Sequence, residues 1–308
     1  MITNYIKLEI MKKLFSIFLI ALFVFAGAQE SKETANRFFY ELTFKPKKDS
    51  AKLDKIITIL DITPKKSIYQ DYTIPAQDSI IKVAVDEMEK TKSWKDITKL
   101  IKMPKFSYKI IKTYPEMKEK YVDRVSMNLF GYDDDIKFNW NILSEKEKVG
   151  EYNTQKATTE FGGRKWIAWF STDIPFQDGP YKFYGLPGLI VKIEDSEKNY
   201  SWKLSGNKKI ENYEEMSNSD KINAKYGVPQ TVTPTTKDKF EKAYASFKQD
   251  PMAEFRQKIT PEMMNMKMPG SDITIGEMAK KQEKMAKDFF NANDNPIEKE
   301  QASEKKKK

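Results

Sequence analysis

The chain has 308 residues, a formal net charge of +9, and 39% hydrophobic and 13% aromatic residues. This composition is typical of one large or two small globular domains with a substantial apolar core. Histidine and cysteine are both absent, which excludes imidazole catalysis, serine-histidine triads, structural zinc sites and disulfides.

The amino terminus has the pattern of a secretory signal peptide. Lys12-Lys13 precedes an apolar run from Leu14 to Phe25, and Ala26-Gly27-Ala28 supplies the small residues of a cleavage site. The apolar run is too short to span a membrane. We therefore predict that residues 1–28 are removed after Ala28 and that no membrane span is left.

The destination predicted from this signal is the periplasm or the cell exterior. Glu9 stands before the basic pair, which is unusual for a signal peptide, so either Met1 or Met11 is the true start. No cysteine follows the small residues, which excludes lipid attachment at that point.

Alternating apolar and polar residues predict a β-rich first part. The predicted strands cover residues 37–44, 55–62, 67–72, 108–114, 121–128, 136–142, 164–171, 190–193 and 200–204. One or two amphipathic helices are predicted over residues 77–102, and Gly131 to Asp135 is predicted to be a loop. Gly162-Gly163 and Gly206-Asn207 each predict a tight hairpin.

The carboxy-terminal part changes character at Lys237. Phe240, Ala243, Tyr244 and Phe247, and later residues 278–290, follow a helical period with lysine and glutamate between them. The predicted organisation is a β-rich domain over residues 29–235, a helical extension over 236–290 and a disordered lysine-rich tail over 291–308.

The positive charge does not indicate a nucleic-acid partner. Four lysines are concentrated at Lys305 to Lys308, and arginine, whose forked donors read bases and grip phosphates, is scarce in this chain. We therefore expect no nucleic-acid binding.

A dense motif of glycines, prolines and aromatics lies between the predicted strands at 164–171 and 190–193. Its members are Gly162, Gly163, Trp166, Gly179, Pro180, Gly185, Leu186, Pro187, Gly188 and Leu189. With Trp169-Phe170 and Asp173-Ile174-Pro175, this order of residues resembles the GLPGL family of secreted proteins from Bacteroidetes. More distantly, the chain resembles the bowl-like amino-terminal domain of some bacterial N-glycanases.

The resemblance implies a signal peptide and a β-rich secreted domain with no assigned activity. Together with the strand pattern it predicts an α+β fold, mainly an antiparallel curved sheet of half-barrel or bowl-like form, with packed helices and a helical carboxy-terminal extension. The glycines and Pro187 are interpreted as turn residues that direct Leu186 and Leu189 inward. A phosphate-cradling loop is not indicated, because no lysine-hydroxyl pair and no helix follow.

The candidate ligand-binding residues are Trp169, Tyr184 and Arg164. Trp166 and Trp169 are three apart on a strand and face opposite sides, so one indole is predicted in the core while the other is a candidate exposed platform. Filling of the sheet core by both aromatics is the structural alternative.

Carboxylates near the motif offer a second interpretation. Asp173, Asp178, Glu194 and Asp195 could hydrolyse a glycosidic bond if two of them were held at the required separation, whereas a pairing of Arg164 with Asp173 would only fix the motif. Asp133-Asp134-Asp135 could hold calcium, although the spacing of a known calcium loop is missing.

Methionines form a third candidate site. Met263, Met264, Met266 and Met268 are soft thioether ligands that select Cu(I), but methionine also fills irregular helical contacts.

The function predicted from sequence is non-catalytic binding or scaffolding, without a cofactor, of a hydrophobic ligand or an envelope protein. A glycan-directed hydrolase or hydrolase accessory module is the alternative, and Cu(I) binding by the methionines is a further one.

Overall fold

The computed structural model describes residues 33–93, 97 and 101–299. These residues form the predicted α+β fold, dominated by one open, curved sheet of twelve strands. The predicted signal peptide lies outside the described residues.

The strands are β1 (Ala35–Phe44), β2 (Asp54–Ile62), β3 (Lys66–Asp71), β4 (Lys109–Thr113), β5 (Lys118–Val125), β6 (Asn128–Asp134), β7 (Asn141–Val149), β8 (Tyr152–Phe161), β9 (Arg164–Ser171), β10 (Leu189–Asp195), β11 (Tyr200–Ile210) and β12 (Thr233–Pro234). Their order across the sheet is β12-β6-β5-β4-β3-β2-β1-β11-β10-β9-β8-β7. Neighbours run antiparallel, except that β12 pairs with β6 in parallel. β1 therefore lies in the middle of the sheet, and the strands from β2 to β6 and from β11 to β7 extend from it toward opposite edges.

The helices are α1 (Thr73–Thr91), α2 (Asn218–Lys225), α3 (Lys237–Gln249), α4 (Ala253–Lys258), α5 (Pro261–Met264) and α6 (Ile275–Ala292). Ser217 and Thr274 begin α2 and α6 with capping boxes, in which the side chain and the first turn satisfy each other's hydrogen bonds. Among the described residues, no helix has both the length and the apolar character that crossing a membrane requires.

The two faces of the sheet differ in what covers them. We call the face that carries Tyr40, Trp166 and Trp202 the inner face; all three side chains are completely buried. The opposite, outer face carries Arg37, whose guanidinium binds both oxygens of Asp61 at 2.6 and 2.7 Å. Period-two alternation along each strand produces this separation.

Helices cover the sheet on both faces. On the outer face, Lys109 of β4 pairs with Asp220 of α2, and the main chain at Ser219 of α2 donates to Asp78 of α1. On the inner face, Phe240 of α3 packs against the rings of Tyr121 and Tyr132.

Three local predictions are wrong. Gly131 to Asp134 is part of β6 and not a loop, and residues 135–140 are not a strand. Gly131 suits the strand because a Cβ there would lie 2.5 Å from Val232, beside β12. Gly206-Asn207 does not form a hairpin, since β11 continues through both residues and pairs with β1 across a bulge.

Candidate functional site

The motif covers the inner face as a compact insert between β9 and β10, and we call residues 172–188 the insert. The rings of Phe183 and Trp166 lie 4.8 Å apart, and Tyr181 stacks on Trp202. Phe183 is completely buried. The inner face is therefore filled by the chain itself.

The insert returns to the sheet through close backbone packing. A Cβ on Gly188 would lie 2.1 Å from the main-chain oxygen of Ser171, so only glycine fits there. Leu186 and Leu189 on either side are completely buried. The Gly162-Gly163 turn joins β8 to β9 with positive φ at both glycines, as the hairpin prediction requires.

A row of charged side chains crosses the inner face beneath the insert. Lys112 of β4 is in register with Glu119 of β5, and Glu119 is in register with Asp134 of β6. The side chains of Lys112 and Glu119 are almost completely buried. Because buried charges are costly unless paired, each must be matched by a partner.

Lys112 ties the insert to the sheet. Its Nζ donates to the carbonyl oxygens of Gly179, Tyr181 and Phe183 at 2.8, 3.2 and 3.2 Å. It also pairs with Asp178, whose second oxygen accepts from the Tyr114 hydroxyl at 2.5 Å. The contacts of Asp178 are therefore those of a residue that holds the fold together, and not those of a solvent-open catalytic acid.

Lys182 is the centre of the second buried pairing. Its fully buried Nζ lies 2.7 Å from Asp134 and 2.6 Å from Glu298, and 3.8 Å from Glu119. Lys237, at the start of α3, lies 3.0 Å from the other oxygen of Glu298. We call Lys182, Lys237, Glu119, Asp134 and Glu298 the lysine cluster.

Burial raises the pKa of the Glu119 carboxyl to about 8, although Lys182 and Lys112 lower it. Neither of its oxygens has a hydrogen-bond partner. A protonated Glu119 leaves Lys182 and Lys237 balanced by Asp134 and Glu298, whereas an ionised Glu119 adds an unmatched negative charge. Burial and this charge balance therefore both favour the protonated form of Glu119.

Glu298 belongs to an extended segment that the sequence places in a disordered tail. Residues 293–299, which we call the strap, follow α6 and lie across the inner face. The Lys299 amide donates to Gly162 at 2.8 Å, and Ile297 is buried in the core. The structure thus differs from the predicted tail over residues 291–299; residues 300–308 lie outside the described residues.

Arg164 grips the strap. Its Nε donates to the Ile297 carbonyl at 2.8 Å, and its Nη2 donates to the Pro296 carbonyl at 2.8 Å and to the Asn295 side chain at 2.9 Å. Its Nη1 pairs with Asp195 at 2.9 Å. The predicted partner Asp173 is exposed and is not bound to Arg164 in the structure.

The other two candidate binding residues do not meet Arg164 in one open site. Trp169 is on the outer side of β9 and is only 9% exposed, beneath Lys156, so it is not an exposed platform. Tyr184 is half-buried; its hydroxyl donates to the Ile136 carbonyl, and its own carbonyl accepts from the Trp140 indole at 2.8 Å.

The remaining acidic and methionine candidates are scattered. Asp133 and Asp134 lie on successive positions of β6 and face opposite sides, which opposes a shared calcium site. Met263 and Met266, on and just after α5, are 38% and 56% exposed. Cu(I) binding by Met263, Met264, Met266 and Met268 stays a prediction.

An open cleft lies beside the β8–β9 hairpin. Its volume is about 570 Å³. Its lining residues are Lys137, Asn139, Asn141, Thr158, Thr159, Glu160, Lys165, Trp166, Ile167 and Ser196. Amides, hydroxyls and aliphatic groups alternate there, a mixture that suits a ligand with hydroxyls on an apolar ring.

The sequence analysis missed the lysine cluster and the strap. The sequence did contain a signal for the buried row of charged side chains. Lys112 shares the inward side of its strand with Ile110, two positions earlier, where an apolar residue is expected. The strap had no such signal, since its proline, asparagines and charged residues resemble a polar tail.

Comparisons with known proteins give one match to a family model and similarity to two solved structures. A family model described as a protein of unknown function (Porph_ging) matches residues 162–192, the turn before β9 through the start of β10. No curated protein matches the sequence. Two solved structures, of PNGF-II in P21 and C2 space groups, are similar at 15% and 16% identity with a TM-score of 0.46. Each similarity covers 69% of this chain and 33% of that chain, so this chain spans about a third of their length.

Proposed function

We propose that this protein is a non-catalytic binding module that holds a protein partner of the cell envelope at the inner face of its sheet. The observation that supports this most is that the inner face already holds an extended polypeptide segment. Arg164 binds two main-chain carbonyls of this segment, and Lys182 and Lys237 bind its acidic side chain, Glu298. Main-chain recognition with a few anchoring side chains is how folded domains bind peptides.

A protein partner fits this surface better than a small hydrophobic ligand. Phe183, Leu186 and Ile297 fill the apolar part of the inner face. A hydrophobic ligand would have to displace these side chains from the core, whereas a polypeptide can replace the strap contact by contact.

Export and family membership are parts of the same proposal. Residues 1–28 supply the signal, and the motif over residues 162–189 supplies the resemblance to the GLPGL family. Amino-terminal sequencing of the protein from the envelope fraction should begin at Gln29. Recovery of the uncleaved chain from the cytoplasm would contradict export.

The partner is tested by affinity capture from the native envelope followed by direct titration of each captured protein. We expect binding to the wild type and to Lys165→Met, an exposed control on β9. Lys237→Met, which removes a half-exposed member of the lysine cluster, should weaken binding about fivefold or more. Equal binding to all three chains would contradict a site at the inner face.

The cleft beside the β8–β9 hairpin supports a second candidate, a glycan-binding accessory role. Asn139, Asn141 and Thr158 place hydrogen-bonding groups next to Ile167 in this cleft. Titration with an oligosaccharide panel should then give saturable binding that Asn139→Ala and Thr158→Ala abolish. Turnover of the panel that is lost in Asp173→Asn, a change at an exposed carboxylate, would instead show a hydrolase.

A further inference from the structure

We propose that the strap is an internal occupant of a peptide site, and that a partner's extended segment carrying an apolar residue followed by an acidic residue displaces it. This inference rests on the proposed function and adds both the chemistry of the partner segment and a means of regulation. The strap residues that define the pattern are Ile297 and Glu298.

The site binds the strap through its main chain, which any polypeptide shares. Arg164 donates to the carbonyls of Pro296 and Ile297, and Gly162 accepts from the amide of Lys299. The Tyr200 hydroxyl donates to the carbonyl of Asn295. These bonds fix an extended backbone without reading its sequence.

Beside Asn295, whose side chain accepts from Arg164 at 2.9 Å, two side chains supply most of the selectivity. Ile297 is 5% exposed and packs in the core of the inner face. Glu298 accepts from the Tyr181 hydroxyl at 2.6 Å and lies between Lys182 and Lys237, at 2.6 and 3.0 Å. An apolar side chain followed by a carboxylate is the minimum that satisfies both positions.

Charge explains why an acid is required. Without Glu298, Lys182 would keep Asp134 at 2.7 Å and Glu119 at 3.8 Å, and Lys237 would keep Asp134 at 3.5 Å. An empty site would therefore lose the carboxylate that lies closest to both lysines, which is unfavourable for the completely buried Lys182. A neutral or basic segment cannot replace the strap without this cost.

Outside the site, the strap is held by hydrogen bonds to two loops. The amides of Asp294 and Asn295 donate to Pro46, after β1, at 3.0 and 3.1 Å, and the Lys299 Nζ donates to Glu197, between β10 and β11, at 3.2 Å. No strand ladder includes residues 293–299. Displacement of the strap can thus leave β1 to β11 and α6 in place. Because the strap competes with the partner for the site, it lowers the partner's apparent affinity.

The test measures binding of a fluorescent peptide with the sequence of residues 292–300 to the full-length chain. We expect weak binding to the wild type. A full-length chain with Ile297→Asn and Glu298→Gln should bind the peptide about tenfold more tightly, because its own strap competes less. A peptide carrying the same two substitutions is the matched control and should bind about tenfold more weakly than the parent peptide.

Equal affinity of the wild-type and strap-variant chains, with both shown to be folded by circular dichroism, would overturn the inference. Adding Lys237→Met to the strap variant should lower its affinity for the parent peptide, and no change would also overturn it. Sedimentation of the strap variant separates the sources of the segment. The wild-type chain is compared with it, because only the wild type carries an intact strap to offer to a second copy. A wild type that stays monomeric at all concentrations supports a partner protein, whereas self-association of the wild type that the strap variant lacks would overturn that source in favour of a second copy.

The outcomes also separate this inference from the proposed function. Partners that need Lys237 but leave the peptide affinities equal would preserve the proposed function and reject strap displacement. Tighter peptide binding to the strap variant, without any envelope partner that needs Lys237, would support strap displacement and reject the proposed envelope partner.

Discussion

Arg164 donates from Nε to the main-chain oxygen of Ile297, 133 positions later in the chain, at 2.8 Å. The guanidinium is almost completely buried and also pairs with Asp195. A single side chain at the start of β9, within the stretch of glycines, prolines and aromatics, thus joins the β8–β9 hairpin to the strap. Arg164 therefore has a structural role that the glycine turn before it would not reveal.

Replacing Arg164 should therefore loosen the strap and destabilise the fold. Arg164→Met leaves Asp195 buried without its cation, and removing one partner of such a pair costs about 3 to 5 kcal/mol. Urea unfolding measures the loss, and limited proteolysis should show earlier cleavage in residues 293–299.

The matched control is Lys165→Met on the next residue. Lys165 is 77% exposed and lies 3.9 Å from Glu160, so its free energy of unfolding should change by less than about 0.5 kcal/mol. Similar losses in both variants would show that Arg164 does not hold the strap.

Glu119 should make stability depend on pH. The folded carboxyl, whose pKa is about 8, keeps a proton that the unfolded chain releases near pH ~4.3. Between these values the unfolded state binds fewer protons, so the free energy of unfolding falls as pH rises, by at most ~1.4 kcal/mol per pH unit.

Glu119→Gln should flatten that dependence, because the amide is neutral throughout. Urea unfolding from pH 6.5 to 8 isolates the effect, since the pKa of the Asp123 carboxyl, raised by burial to about 6, lies below this window. An unchanged slope in the variant would mean that Glu119 is already ionised at neutral pH.

Much of the sheet could be predicted because alternation records which side of a strand is buried. Residues 37–44 and 55–62 match β1 and β2 closely. The loop predicted at Gly131 to Asp135 failed because glycine and aspartate favour turns locally, whereas contacts with β5, Val232 and Lys182 hold these residues in β6.

The candidate site was harder to predict because it depends on contacts between distant positions. Arg164 and Asp178 were recognised near the motif, but their partners were not. Lys112 and Glu298 lie far away in sequence, and no local pattern specifies that pairing. Trp169 was assigned to the correct face, yet Lys156 covers it.

Gly188 should tolerate no side chain. Gly188→Ala would place a Cβ 2.1 Å from the Ser171 oxygen, so the backbone must move, and we expect a loss of about 3 kcal/mol in thermal or urea unfolding. Gly206→Ala is the control, since a Cβ at that position would meet nothing within 4 Å, and its loss should stay below about 1 kcal/mol. Equal losses of stability in the two variants would show that close packing against Ser171 is not what requires glycine at position 188.

Lys112 and Asp178 should behave as a coupled pair. Lys112→Met leaves the buried Asp178 carboxylate with the Tyr114 hydroxyl as its remaining side-chain partner, at a cost of about 3 to 5 kcal/mol. Adding Asp178→Asn should recover part of that loss, which a double-mutant cycle in urea measures. Additive losses would indicate that the two charges do not stabilise each other.

Hydrogen exchange at the strap is the measurement that bears most directly on binding at the inner face. A titrated envelope partner, or the peptide of residues 292–300, is added to the full-length chain, and amide exchange is followed by mass spectrometry. We expect faster exchange at Asn295 and Lys299, whose amides now bind Pro46 and Gly162, with β1 and β11 unchanged. Unchanged exchange in the strap together with new protection around Asn141 and Thr158 would contradict binding at the inner face and place the ligand in the cleft.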